Sequence, residues 1–227
     1  TAAGLVPFAI GTETYGSIVS PSTRCGTTGL RPTFGRVSRS GAMVLSWSMD
    51  KIGPITRSAQ DAAIVFDAMH GPGGTDRSVR DLPFNYDADV DITSLRIGYT
   101  EQLFGEEYPG REHDLATLET FRELGVDLIP ITLPDYPVEE LGFILSAEAA
   151  AAFQELTLSN RDDEMVRQVK NAWPNVFRAA NLIPAVEYIQ ADRARYVLIE
   201  EMAEIMEKVD LYIVPSFGGD NLLMTKL

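Results

Sequence analysis

The residues best suited by type and spacing to do chemistry lie between positions 11 and 26, GTETYGSIVSPSTRCG, where six Ser/Thr hydroxyls and three glycines share one short stretch. It shows neither helical nor strand periodicity and reads as a loop that presents groups instead of burying them. Ser17 is its candidate nucleophile. Gly16 allows a sharp bend beside it, and the backbone N–H groups of Thr14, Tyr15, Gly16 and Ser17 can then converge as a nest for negative charge. An acyl oxyanion requires such a cluster of donors. The competing reading is a plain polar Ser/Thr/Gly loop.

Two absences narrow the chemistry. Ser17 is followed by Ile18 and Val19, so the GxSxG elbow of the α/β-hydrolases is missing. A Ser–His–acid triad needs a histidine, and the chain offers only His70 and His113. His70 closes the helical-looking DAAIVFDAMH, where a cation suits the carbonyl end, and His113 sits in the solvated run REHD. A nucleophilic Ser17 therefore calls for a lysine base; turnover by residues 1–227 alone at the full-length rate would make Lys51 the first suspect.

The run GTETYGSIVSPSTRCGTTGLRPTFGRVSRSG, followed by SMDKIGPITRSAQDAA, resembles the signature region of the amidase signature family, densely over residues 4 to 78 and more loosely through DLYIVPS. The resemblance implies an amide hydrolase working through an acyl-enzyme on a serine, with a second serine held by a cis peptide and a lysine that activates the pair. By position, Ser17 matches the nucleophile, and the backbone of Thr14, Tyr15, Gly16 and Ser17 matches the oxyanion hole. The family's lysine and bridging serine precede its nucleophile. Neither lies in the 16 residues before Ser17, so residues 1–227 alone are not expected to turn over amides. Many members have a glycine pair before the serine and an arginine two positions after it. Tyr15 and Val19 stand there instead, which tilts the reading toward a free-standing amidase and away from the glutaminase-type A subunit of a tRNA-dependent amidotransferase. A non-catalytic fragment of the same fold, serving as a binding module, is the alternative of another class.

The elements that must position these residues follow in order. GLVPFAI (4–10) reads as a strand delivering the Ser17 loop, and the Gly/Pro-punctuated stretch from 26 to 41 as turns and short strands walling the site. Gly53 and Pro54 forbid a helix until Ser58, which caps one running to about Met69, with Asp61 completing a capping-box-like pair. Asp50 and Arg57 read as a structural ion pair or loop brace. Residues 71–91 form a surface excursion or linker. A βαβ-like unit follows, SLRIGYT, EHDLATLETFREL and VDLIPITL, with parallel pairing expected. Residues 137–158 read as one long alanine-rich helix, and 184–208 as another with Tyr188, Tyr196 and Met202 as a buried stripe. By resemblance, Trp173, Phe177 and Asn181 are candidates for lining the substrate pocket, as is Tyr15. A strand from DLYIV and a glycine-containing loop end the chain. The expected fold is α/β, a mixed twisted sheet wrapped by helices. It forms one domain over 1–227, with the signature region in 1–78 and a helix-rich remainder in 92–227.

The net charge of −14 opposes direct nucleic-acid binding, although residues 1–60 are locally +4. The single cysteine, Cys25, permits no internal disulfide, reads as a small buried core residue, and favours a cytoplasmic setting. No 18-residue apolar run or signal-peptide pattern occurs, so no membrane partner is expected. No nucleotide or metal motif occurs, so no cofactor is expected. The expected partner is a small-molecule amide substrate, with room for a homo-oligomer.

Overall fold

The computed structural model describes residues 1–136 and 138–215, position 139 by its backbone alone. The chain divides into two compact units. Among the described residues the first holds 1–84 and 138–195; the second holds 85–136 and 196–215. The boundary at 84 falls inside the expected excursion.

In chain order the elements are β1 (Ala9–Glu13), α1 (Val19–Cys25), β2 (Thr28–Gly29), β3 (Lys51–Thr56), α2 (Ala59–Met69), β4 (Ile97–Thr100), α3 (Glu101–Gly105), α4 (Arg111–Glu123), β5 (Ile129–Ile131), α5 (Phe143–Ala152), α6 (Gln154–Leu158), α7 (Trp173–Ala180), α8 (Ala185–Met206) and β6 (Leu211–Ile213). The class is α/β as expected. The described strands fall in two three-stranded sheets, β1-β3-β2 antiparallel and β5-β4-β6 parallel. The second sheet realises the expected βαβ unit, with Gly98 opposite Ile129 and α4 as the crossover. The glycine-containing loop expected after β6 lies outside the described residues.

The first sheet is built to seat one side chain. Gly11 on β1 stands opposite Gly53 on β3, and Gly29 lies on β2. A Cβ at any of the three would press on Ile18, at 3.1 Å from Gly11, 3.3 Å from Gly53 and 2.9 Å from Gly29. Three missing side chains on three strands thus form a socket for Ile18, which is fully buried. Because Ile18 follows Ser17 directly, this packing fixes the height of the serine above the sheet.

Several elements depart from expectation. β1 starts at Ala9, past Pro7, and runs into the motif as far as Glu13, because its register is set by pairing with 51–55. Residues 19–25 are helical. Pro21 is tolerated in the first turn, and Gly26 ends the helix in the left-handed conformation, donating to the Ser22 carbonyl. Cys25, in its last turn, is exposed instead of buried. The helix expected over 137–158 is interrupted: Phe153 leaves helical geometry between α5 and α6, with its ring stacked on Phe177 at 4.8 Å. On α8, Met202 is buried and Tyr188 half-buried, but Tyr196 faces solvent. The expected cap holds: Ser58 accepts from the Asp61 N–H at 3.1 Å and starts α2.

Candidate active site

Ser17 sits at the bend between β1 and α1. Gly16 makes the bend with φ 92°, a region open to glycine at little cost. The helix start has no cap from its own N-cap residue. Glu13 does the work from the preceding strand: its Oε2 accepts the N–H of Ile18 at 2.8 Å and of Val19 at 3.0 Å, while Oε1 faces Arg31 at 3.5 Å. The carboxylate is fully buried. A buried charge of this kind is tolerated only when its partners are held in place. The loop therefore owes its form to the acid that precedes it.

With Ile18 and Val19 committed to Glu13, the neighbouring donors are left open. The N–H groups of Gly16 and Ser17 and the Ser17 hydroxyl make no hydrogen bond among the described residues. Two of the four expected oxyanion amides thus stand unspent beside an exposed serine hydroxyl. Thr14 is tied by its hydroxyl to Asp50, whose other oxygen accepts the N–H of Leu45 at 2.8 Å and of Ser46 at 3.0 Å. Asp50 is a loop brace, and Arg57 forms no ion pair with it among the described residues.

Ser17 opens into a cavity of about 410 Å³ lined by Thr12, Thr14, Asp50 and Lys51 from the sheet side, by Arg39 to Leu45 and Trp47 along one wall, and by Thr75 and Asp76. The expected wall is there, and the 71–84 segment completes it. Arg39 meets Asp76 at 3.2 Å, donates to the Trp47 carbonyl at 2.7 Å and lies over the Phe34 ring. Ser40 Oγ accepts the N–H of Thr75 and of Asp76. Burial works against the Asp76 charge, but hydrogen bonds from Ser78 and Arg39 outweigh it and hold the carboxyl well below the usual range. The segment is pinned to the site and is no free linker.

Lys51 is the residue whose environment the sequence left unread. It lies opposite Glu13 in the β1–β3 register, so the two side chains share a sheet face, and it is only 5% exposed. Its ammonium makes no hydrogen bond or ion pair among the described residues. Burial, reinforced by the Arg31 charge, lowers its pKa to about 8 against the pull of Glu13 and Asp50. Between about pH 8 and the ordinary 10.5 the unfolded chain binds the extra proton, so stability rises with pH across that window. Below it both states carry the charge and the burial cost is constant. Lys51→Met in the full-length protein is therefore expected to raise stability at pH 7 by up to ~3 kcal/mol, an advantage that shrinks toward pH 10. Urea midpoints at the two pH values check this.

The pocket candidates on α7 are placed elsewhere. Phe177 is buried between Phe153 and Trp173, at 4.8 and 5.6 Å, and the Asn181 amide donates to the Phe177 carbonyl at 2.8 Å at the helix end. None of Trp173, Phe177 and Asn181 lines the Ser17 cavity; they form an aromatic stack and a helix cap because the high apolar content of that face is used for packing. Tyr15 is half-buried, has no positive φ and does not line the cavity either. Tyr15→Gly is accordingly expected to change kcat/KM uniformly across a series of small to bulky acyl amides; a size-dependent change would return the ring to the acyl pocket.

Ser17 thus lies at the bend of a strand–turn–helix junction, beside unspent amides in an α/β fold. The chain belongs to the Amidase family, whose model matches residues 1–225. It is 30% identical to the A subunit of the glutamyl-tRNA(Gln) amidotransferase of Staphylococcus epidermidis over 95% of this chain and 50% of that protein. It is 37% identical to the corresponding protein of Thermus thermophilus over 66% of this chain and 33% of that one. Among solved structures it resembles the peptide amidase of Stenotrophomonas maltophilia, with TM-score 0.69, 28% identity, and 86% of this chain and 45% of that one covered. It also resembles a protein of a vestigial complex that bears on the origins of an s-triazine catabolic enzyme, with TM-score 0.79, 27% identity, and 96% and 49% covered. The chain spans about half the length of the curated relatives it matches. No described helix is long and apolar enough to cross a membrane, and no group of His, Cys, Asp and Glu among the described residues is arranged to hold a metal ion.

Proposed function

We propose that the full-length protein hydrolyses carboxylic amides through an acyl-enzyme on Ser17. The observation that carries this reading is the unspent Ser17 hydroxyl next to the unspent N–H groups of Gly16 and Ser17, at the mouth of a cavity, in a chain of the Amidase family. In the proposed sequence of events the Ser17 oxygen attacks the amide carbon, the oxyanion is met by the two amides, and collapse expels the amine and leaves an ester on Ser17. Water then releases the acid. The base is the lysine that the family places upstream of its nucleophile, relayed through the bridging serine. The exposed Cys25 and net charge −14 fit a cytoplasmic enzyme of small amides with no direct nucleic-acid contact.

The second reading is a glutaminase-type amidotransferase component, favoured by the relatives at 30% identity and above. Full-length protein incubated with a slowly deacylating p-nitroanilide, quenched in acid and digested, is expected to carry the acyl mass on the peptide containing Ser17. An adduct elsewhere, or none, would leave the non-catalytic binding module as the better account. Hydrolysis of glutamine that appears only when partner subunits are added would favour the second reading over the first.

A further inference from the structure

Lys51 is a buried cation that makes no hydrogen bond or ion pair among the described residues, and Glu13 and Asp50 act on it only through their charge. Its cross-strand neighbour Glu13 is committed to Ile18, Val19 and Arg31. Asp50, next in sequence, is committed to Thr14, Leu45 and Ser46. Arg39, the other cation on the cavity, is engaged by Asp76, Ser78 and the Trp47 carbonyl. Of these charged groups the Lys51 ammonium alone keeps its donors unspent among the described residues, and it lines the same cavity as Ser17.

An unpaired ammonium at this burial weakens the fold, which a purely structural side chain gives no reason to retain. Burial and the Arg31 charge lower its pKa to about 8 against the pull of Glu13 and Asp50, so at pH 7 the greater part of it is the cation. A neutral amide fills the oxyanion donors but has nothing further to offer a second cation on the cavity wall.

We infer that Lys51 is a specificity residue whose ammonium receives a carboxylate of the substrate, selecting amides whose acyl part ends in a second, anionic group. The inference rests on the amidase reading of Ser17 and names the substrate class of that site. Dicarboxylic acid monoamides are the simplest members of the class. The carboxylate would bring the charge that Lys51 lacks and hold the amide carbon over Ser17, with Arg39 left in its existing contacts.

The test uses full-length protein and two amides of equal length, succinamate and butyramide. Wild type is expected to prefer succinamate in kcat/KM by about 10- to 100-fold, the range of a hydrogen bond to a charged group. Lys51→Met should lose that preference, mostly through KM for succinamate, its loss on succinamate exceeding any loss on butyramide by about 10-fold or more. Lys51→Arg should restore part of it. Calorimetry adds a readout without turnover: Ser17→Ala protein should bind succinate, and the double variant with Lys51→Met should not. Thermal melting of each variant confirms a folded sample. Equal loss on both amides would overturn the inference and place Lys51 in the chemical step; a wild type that shows no preference would overturn it outright. Hydrolysis of neither amide, with Ser17 refractory to a fluorophosphonate, would instead be a failure of the amidase reading itself.

Discussion

Ser17→Ala in the full-length protein is expected to lower kcat for amide hydrolysis by about 10⁶-fold, the scale seen when a nucleophile is removed from residues that act as a unit. The residual rate should come from binding and from the amides of Gly16 and Ser17, which the substitution leaves in place. Labelling by a serine-directed fluorophosphonate should vanish with it. The fold should survive, because the Ser17 side chain is exposed and makes no hydrogen bond among the described residues, whereas the adjacent Ile18 fills the glycine socket. A variant that melts like wild type and yet keeps its turnover would remove Ser17 from the mechanism.

The second large effect is expected at Glu13. Glu13→Ala strips one buried and one part-buried N–H group of their acceptor and removes the carboxylate that faces Arg31, which together should cost about 3–5 kcal/mol in unfolding free energy. Glu13→Gln keeps one carbonyl oxygen and should cost less. Activity should fall further than stability alone explains, since the N–H groups freed at Ile18 and Val19 would compete with those of Gly16 and Ser17 for the oxyanion. Denaturant unfolding and kcat on the same samples separate the two effects. An alanine variant as stable as wild type would show that the loop holds its own shape.

What the sequence disclosed, and what it withheld, follows the range over which each interaction acts. Ser58 and Asp61 are three residues apart, and the cap between them could be read directly. The parallel unit of β4, α4 and β5 was legible because its hydrophobic periods change within a short span. The proposal of Ser17 as nucleophile likewise rests on a local pattern of glycine, hydroxyls and missing histidine. The setting of Lys51 was not legible, because it depends on the β1–β3 register, which brings position 51 opposite position 13. The Arg39–Asp76 pair joins residues 37 apart, and only that contact turns a turn-rich segment into a wall. Phe153 and Phe177 illustrate the converse: each has the composition of a pocket residue or a helix interior, and only their stacking shows that packing has claimed both.

The wall of the cavity has a bearing on how such an enzyme diversifies. Between Arg39, clamped by Asp76, and Leu45 and Ser46, clamped by Asp50, the chain from Ala42 to Val44 carries side chains that reach the cavity without supporting the fold, whereas Gly41 makes the turn at φ 83°; Met43 is 84% exposed. A segment fastened at both ends and idle in the middle is a cassette. Drift or deliberate randomisation of positions 42 to 44 can rewrite what the cavity admits while the strand, the turn and the serine stay where they are. New specificities in this lineage should accumulate there sooner than in the motif itself.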